Sequence, residues 1–253
     1  MTNFNHLIRN NFSHAARHYL ENAEIQRSPA LAIINLLGKY YKDGIILDLG
    51  SGPGTMAHNN LLHYPTLLFD LSLSMLKRSD TYHHRVNGDA SNLPFATNSF
   101  SIIISNLMLQ WPQDKEQVIN EAWRVLKPGG KLILTTLIKP SLNELKQAWL
   151  QVDNNEHTLS FLSNRDYVQL FMNAGFKLHQ SMSWQKTVYF ADLLALLHHF
   201  KSTGTCLAKS NSNVGLGGKK QIQQLIQAYQ TLPNGRLPLT YAYLLITATK
   251  EVN

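Results

Sequence analysis

An aspartate and three glycines at fixed spacing, Asp48-Leu49-Gly50-Ser51-Gly52-Pro53-Gly54, follow directly on an apolar run. Glycines at such a turn let the backbone approach a ligand closely and leave amides free to meet it. The spacing does not suit two common nucleotide loops. A dinucleotide fingerprint calls for glycine or alanine where Thr55 stands, and a phosphate loop calls for lysine and a hydroxyl residue after the last glycine. Two further acids end strand candidates, Asp70 in LLFDLS and Asp89 in NGDASNLPF. A carboxylate can accept two hydrogen bonds from a vicinal diol, and it can equally cap a following helix.

Metal chemistry is not expected. The single cysteine, Cys206, rules out a multi-cysteine zinc site and an intrachain disulfide. His14 and His18 have helical i, i+4 spacing but no glutamate in H-E-x-x-H register, and His83-His84 and His198-His199 are adjacent pairs pointing to different faces.

Strand-like and helix-like runs alternate from residue 45 to about 185, which predicts an α/β fold with a mostly parallel sheet covered by helices. IILDL, TLLFDL, HRVNGD, FSIIISN and KLILTTL are strand candidates in a βα order kept throughout. MLKRSD and DKEQVINEAWRVL read as helices, the second stopped at KPGG, and NRDYVQLFMNAG leads into FKLHQSMSW. Two amphipathic stretches, about 4–20 and 27–40, form an N-terminal helical cover (1–40), and 45–185 is the core. Residues 188–236 are a helical insertion or lid, made of FADLLALLHHF, the loop KSNSNVGLGG and KKQIQQLIQAYQ, before a last strand over 237–250. One domain accounts for all 253 residues.

The D-x-G-x-G-x-G turn, with Asp70, Asp89, the FSIIISN strand and RVLKPGGKLILTT in order, resembles class I S-adenosylmethionine-dependent methyltransferases. That resemblance implies a Rossmann-like fold with a seven-stranded, mostly parallel sheet and helices on both faces. It implies S-adenosylmethionine as cofactor and S-adenosylhomocysteine as product. By the same resemblance Asp48, Gly50, Ser51, Gly52 and Gly54 meet the methionine end, and Asp70 takes the ribose hydroxyls. Asp89 and Ala90 hold the adenine amino group, Leu71 and Met75 sandwich the ring, and Gln26 and Asn106 complete the cofactor site.

Two branches of the class lack their signatures. SNLMLQW stands where amino-methylating enzymes of nucleic acids carry proline-proline-aromatic, and Cys206 sits in the insertion rather than beside the turn, against cytosine C5 chemistry. FSHAARHYLENAEIQR, LQW, TTLIKPSLNELKQAW and GRLPLTYAYL together resemble the malonyl-acyl-carrier-protein O-methyltransferases of biotin synthesis over nearly the whole chain. This implies methylation of the free carboxylate of malonyl-acyl carrier protein or malonyl-CoA. It also implies Phe12 and Tyr19 in the pocket cover with Tyr19 as a donor, Gln110 and Trp111 as pocket walls, and Arg236 or Lys201 as the cation for the carboxylate. Phe12 and Tyr19, seven residues apart, also read as core aromatics on one helix face.

The formal net charge of +7 calls for an acidic partner, and the resemblance supplies acyl carrier protein. Lys139, Lys146, Arg165, Lys209, Lys219 and Lys220 are candidates for the rim it would meet. No basic run or aromatic-basic repeat favours nucleic acid. No signal-like or membrane-length apolar segment is seen, so the expected place is the cytoplasm. Alternatives are a small-molecule or quinone-ring methyltransferase on the same core, and a non-catalytic cofactor-binding protein holding RNA or protein.

Overall fold

The computed structural model describes residues 3–56, 64–79, 82–205 and 219–251. Its elements run α1 (Asn3–Ala15), α2 (Tyr19–Asn22), α3 (Glu24–Tyr40), β1 (Ile46–Leu49), β2 (Thr66–Asp70), α4 (Leu73–Leu76), β3 (His84–Asn87), β4 (Phe100–Asn106) and α5 (Lys115–Val125). They continue as β5 (Leu126–Leu137), α6 (Asn143–Leu150), α7 (Asn164–Asn173), β6 (Phe176–Phe190), α8 (Leu193–Ser202), α9 (Lys219–Ala228) and β7 (Leu237–Lys250).

The described strands form one sheet in the order β3-β2-β1-β4-β5-β7-β6. β7 runs antiparallel to both β5 and β6, and the other pairs are parallel. Every residue of β1 is buried, as expected of a central parallel strand covered on both faces. Strand order reverses between β1 and β4, and a crevice opens at the carboxyl ends of strands at such a point. α5 buries Val118, Ile119, Ala122 and Val125 on one face, and α7 buries Tyr167 and Phe171 one turn apart. Asp114 caps the first and a Ser163–Asp166 capping box opens the second.

Several boundaries differ from the sequence expectation. The first cover helix does not run through residue 20. It turns after Ala15, and Tyr19 begins a separate short helix. The second starts at Glu24, although it carries Pro29 inside it. Pro29 has no N–H for the Ile25 carbonyl, and the Tyr243 hydroxyl donates to that carbonyl instead, at 3.2 Å. The next carbonyl, of Gln26, accepts from Asn106 Nδ2 at 3.1 Å. The start of α3 is therefore pinned by the end of β4 and the middle of β7, a long-range satisfaction that local propensity does not register.

The Pro-Gly-Gly of KPGG does not separate helix from strand. It lies inside β5, where pairing with β4 slips between Phe100 and Ile102 and the extra residues bulge. β6 extends to Phe190, so the insertion begins after it rather than at 188, because β7 offers a partner residue along that whole length. The βα alternation is broken between β3 and β4, which are joined without a helix. The helix expected after the glycine turn, the loop KSNSNVGLGG and Cys206 fall outside the described residues.

At the far edge of the core, Lys250 is buried at the end of β7. Its ammonium donates to Asn98 Oδ1 at 2.8 Å and to the carbonyls of Trp123 and Leu126 at 2.9 Å, and lies 3.9 Å from the Trp123 ring centroid. Two of these partners end α5, where carbonyls lack intrahelical donors and a cation is favoured. Burial lowers the Lys250 pKa from its ordinary value.

Candidate active site

The strand ends at the switch point open into a cavity of about 800 Å³. Gly50 and Gly52 after β1, Asp70 and Leu71 at the end of β2, and Asp89 and Ala90 after β3 line one half of it. Leu137 from β5 and Tyr241 from β7 line the other, and the strand order sets the two apart along the sheet. Cover and insertion close the space: Asn5, Phe12, Tyr19 and Gln26 come from the N-terminal helices, and His199, Lys201 and Thr203 from α8 and its end. A Cβ on Gly204 would stand 3.0 Å from the Asn11 carbonyl oxygen and the Phe12 Cα, so insertion and cover pack backbone on backbone.

The glycine turn is shaped from below. Gly50 and Ser51 donate their N–H groups to the Phe69 carbonyl at 2.8 and 3.0 Å. Gly52 has φ 57°, and a Cβ there would meet no atom within 4 Å, so it would project into open space in the cavity. The Gly52 N–H donates to one Asp70 carboxylate oxygen at 2.8 Å and the Ser72 N–H to the other at 2.7 Å. Each oxygen keeps acceptor capacity for a ligand. Burial raises the Asp70 pKa to about 6, against the pull of those two amides.

Asp89 accepts at Oδ1 from the Ser91 N–H and hydroxyl, at 3.0 and 2.7 Å, and at Oδ2 from Asn5 of the cover at 2.7 Å. Gln26 Oε1 is buried with no partner among the described residues. The acceptors on this half call for a ligand that brings its own donors, such as the hydroxyls and amine of a nucleoside.

Phe12 meets Trp111 edge-on at 5.1 Å and Tyr19 at 6.4 Å, across the break between α1 and α2. The Tyr19 phenol is raised above its ordinary pKa, first by burial and then by the Asp70 charge, so it stays protonated. Gln110 is tied into the wall: its Nε2 donates to the Leu107 carbonyl at 2.7 Å and its Oε1 accepts from Thr136 at 3.1 Å. Asn106 likewise spends its amide on Gln26 O and its oxygen on Thr135 at 2.7 Å. Both line the cavity, yet their polar atoms hold walls together.

Four residues stand elsewhere than expected. Asp48, Ser51 and Gly54 do not line the cavity. Asp48 lies within β1, flanked by β2 and β4, with both carboxylate oxygens unpartnered among the described residues, as is Ser51 Oγ. Burial, then the Asp70 charge, pushes the Asp48 carboxyl well up. Arg236 is exposed at the start of β7, donates to the Tyr189 carbonyl at 2.9 Å and lies over the Tyr189 ring, away from the cavity. Leu237, the next residue, turns inward where Arg236 turns out. Lys201 lines the cavity with an exposed side chain.

Sequence reasoning passed over Trp149, His157, His199 and Tyr241, which all line the cavity. His199 Nε2 lies 3.1 Å from the Tyr241 hydroxyl. Burial lowers the His199 pKa and raises that of Tyr241, so both are neutral near pH 7. A signal was present for His157 alone, in the i, i+4 spacing of Asp153 and His157. Among the described residues no group of three or more His, Cys, Asp or Glu is placed to hold a metal ion, and no helix is long and apolar enough to cross a membrane.

A Rossmann-like sheet with one antiparallel strand, a glycine turn after β1 and acids ending β2 and following β3 define a class I S-adenosylmethionine-dependent methyltransferase. Residues 47–134 match the methyltransferase domain family, and the fold matches a SAM-dependent methyltransferase of Thermotoga maritima at TM-score 0.57 and 18% identity, covering 96% of this chain and all of that one (100%). The chain belongs to the malonyl-[acyl-carrier protein] O-methyltransferase family: it is 33% identical to that enzyme of Herminiimonas arsenicoxydans over 97% of its own length and 96% of the relative's. It is also 32% identical to the biotin biosynthesis bifunctional protein BioHC of Cellvibrio japonicus, over 92% of this chain but only 48% of that protein.

Proposed function

We propose that this protein methylates the free carboxylate of a malonyl thioester carried by acyl carrier protein, with S-adenosylmethionine as donor. The observation that carries this reading is one continuous cavity. It joins the acid-lined half at β1–β3 to an aromatic-walled half roofed by the cover and α8, in a chain whose relatives bear that activity's name.

When bound, S-adenosylmethionine supplies the methyl of its sulfonium: a carboxylate oxygen forms the new O–CH3 bond while the S–CH3 pair stays on sulfur, giving the methyl ester and S-adenosylhomocysteine. Asp70 would accept from the ribose hydroxyls, Asp89 and Ala90 would hold the adenine edge, and Leu71 and Met75 would flank the ring. Gln26 Oε1 and the Gly50–Gly52 backbone would face the amino-acid end, with the Ser51 N–H and carbonyl shaping the turn. The acceptor carboxylate is ionised at neutral pH, so the protein need not remove a proton. Its task is placement and exclusion of water, which together lower the barrier by several kcal/mol. Phe12, Trp111 and Trp149 provide dry walls, and the protonated Tyr19 hydroxyl donates near the reacting groups.

Affinity for the cofactor should follow the ionisation of Asp70. Only the carboxylate accepts from both hydroxyls, and its pKa is raised to about 6. Affinity is therefore flat above neutrality and falls as pH drops through 6. At pH 5 roughly one carboxylate in ten is ionised, so calorimetry should show binding about tenfold weaker than at pH 8.

The exposed Lys139, Lys146, Arg165 and Lys220 could meet the carrier, while Lys209 lies outside the described residues. If their sum steers an acidic carrier, its association rate falls by about tenfold or more between low salt and 0.5 M salt. A salt-independent rate removes the steering role.

Transfer of labelled methyl to malonyl-acyl carrier protein, beside malonyl-CoA, acetyl-acyl carrier protein and RNA, tests the reading directly. Label on the malonyl carrier, released by mild ester hydrolysis, supports it. An unlabelled malonyl carrier with tight cofactor binding overturns it and returns attention to small-molecule acceptors.

A further inference from the structure

His157 lines the cavity and stacks on Trp149, with ring centroids 3.7 Å apart and planes 13° from parallel. Its Nε2 lies 2.7 Å from Asp153 Oδ1, and the two side chains are only 13% and 19% exposed. Against partial burial, the Asn155 N–H at 2.9 Å and His157 itself hold the Asp153 carboxyl below its usual range. Asp153 Oδ2 also accepts from Gln221 of α9 at 3.3 Å. Ring plane and ring rotation are thus both fixed, one by the indole and the other by an anchored carboxylate. With Nε2 engaged, Nδ1 is the nitrogen left, and it has no partner among the described residues.

Resting on the substrate reading above, we infer that His157, oriented by Asp153, is the group that binds the acceptor's carboxylate in the second half of the cavity. Arg236 is excluded by position, and the exposed Lys201 keeps its hydration, so a contact from it contributes little. A hydrogen bond from Nδ1 to the acceptor's carboxylate is charge-assisted, whereas one to the methyl ester meets only a neutral acceptor. The arrangement therefore favours the free acid over its methylated product. A permanent cation in its place would also bind the acid, but would stabilise its charge through the transfer as well.

The test compares the affinity of the intact protein, loaded with S-adenosylhomocysteine, for malonyl-acyl carrier protein and for its methyl ester. The unaltered protein should prefer the acid by about tenfold or more, the size of a hydrogen bond to a charged group. His157→Gln should bring that preference near unity, with S-adenosylhomocysteine affinity unchanged. Asp153→Asn, which leaves the ring stacked on Trp149, should reduce it in the same direction and serves if His157→Gln does not fold. A role in packing alone would weaken acid and ester equally. That result, or an unchanged preference, overturns the inference. An unaltered protein that fails to methylate the malonyl carrier overturns the substrate reading and this inference with it, and is recognised by its silence before any variant is made.

Discussion

Asp70→Asn should lower the affinity for S-adenosylmethionine by about 100-fold or more, because two charge-assisted hydrogen bonds at roughly 1.5–3 kcal/mol each lose their acceptor. The loss has two parts. Each carboxylate oxygen already receives one backbone N–H, from Gly52 and from Ser72. An amide has one oxygen, so its NH2 would face one of these donors and loosen the turn as well as the ribose contact. Because a buried charge is removed at the same time, the variant should keep a cooperative melt. Its residual affinity should no longer change between pH 5 and pH 8, unlike that of the native protein. Calorimetry on both proteins at the two pH values checks the claim. An Asp70→Asn protein that binds within threefold of the native one would mean that the diol is held elsewhere.

Lys250→Met should cost about 3 kcal/mol of folding stability, which in a chain of this size lowers Tm by roughly 6–10 °C. Methionine fills much of the same volume but leaves the Trp123 and Leu126 carbonyls and Asn98 Oδ1 without the donor they now share. It also removes the cation over the Trp123 ring, 3.9 Å away. The cavity lies at the opposite, carboxyl end of the parallel strands, so cofactor affinity should be unchanged at a temperature where both proteins are folded. An unchanged Tm would mean that stripping water from the ammonium costs as much as its partners return.

Much of the acid-lined half of the cavity was legible in the chain because its determinants are local. A glycine turn directly follows β1, an acid ends β2 and another follows β3, and in a parallel sheet all strand ends with the same direction come to one edge. Periodicity alone thus carries Gly50, Gly52, Asp70 and Asp89 to a common crevice. Asp48 shows the limit of the argument: its place in the motif suggested ligand contact, while it lies inside a strand buried on both sides and does not line the cavity.

The aromatic-walled half depends largely on contacts that no local pattern encodes. Tyr19 and Phe12 meet only because the cover breaks after Ala15, and α3 tolerates Pro29 because a hydroxyl 214 residues further along the chain takes the freed carbonyl. Arg236 and Tyr241 are close in sequence, yet the first faces solvent and the second the cavity. His157 is the local exception, stacked on Trp149 and bonded to Asp153 a few residues before it, and only the Gln221 contact to Asp153 comes from far along the chain. The sequence by itself therefore determined the class of fold and the residues at its strand ends, since strand direction and turn chemistry are short-range properties. Which side chains wall the acceptor space was decided by the tertiary structure, because burial and orientation there are set by elements far apart in the chain.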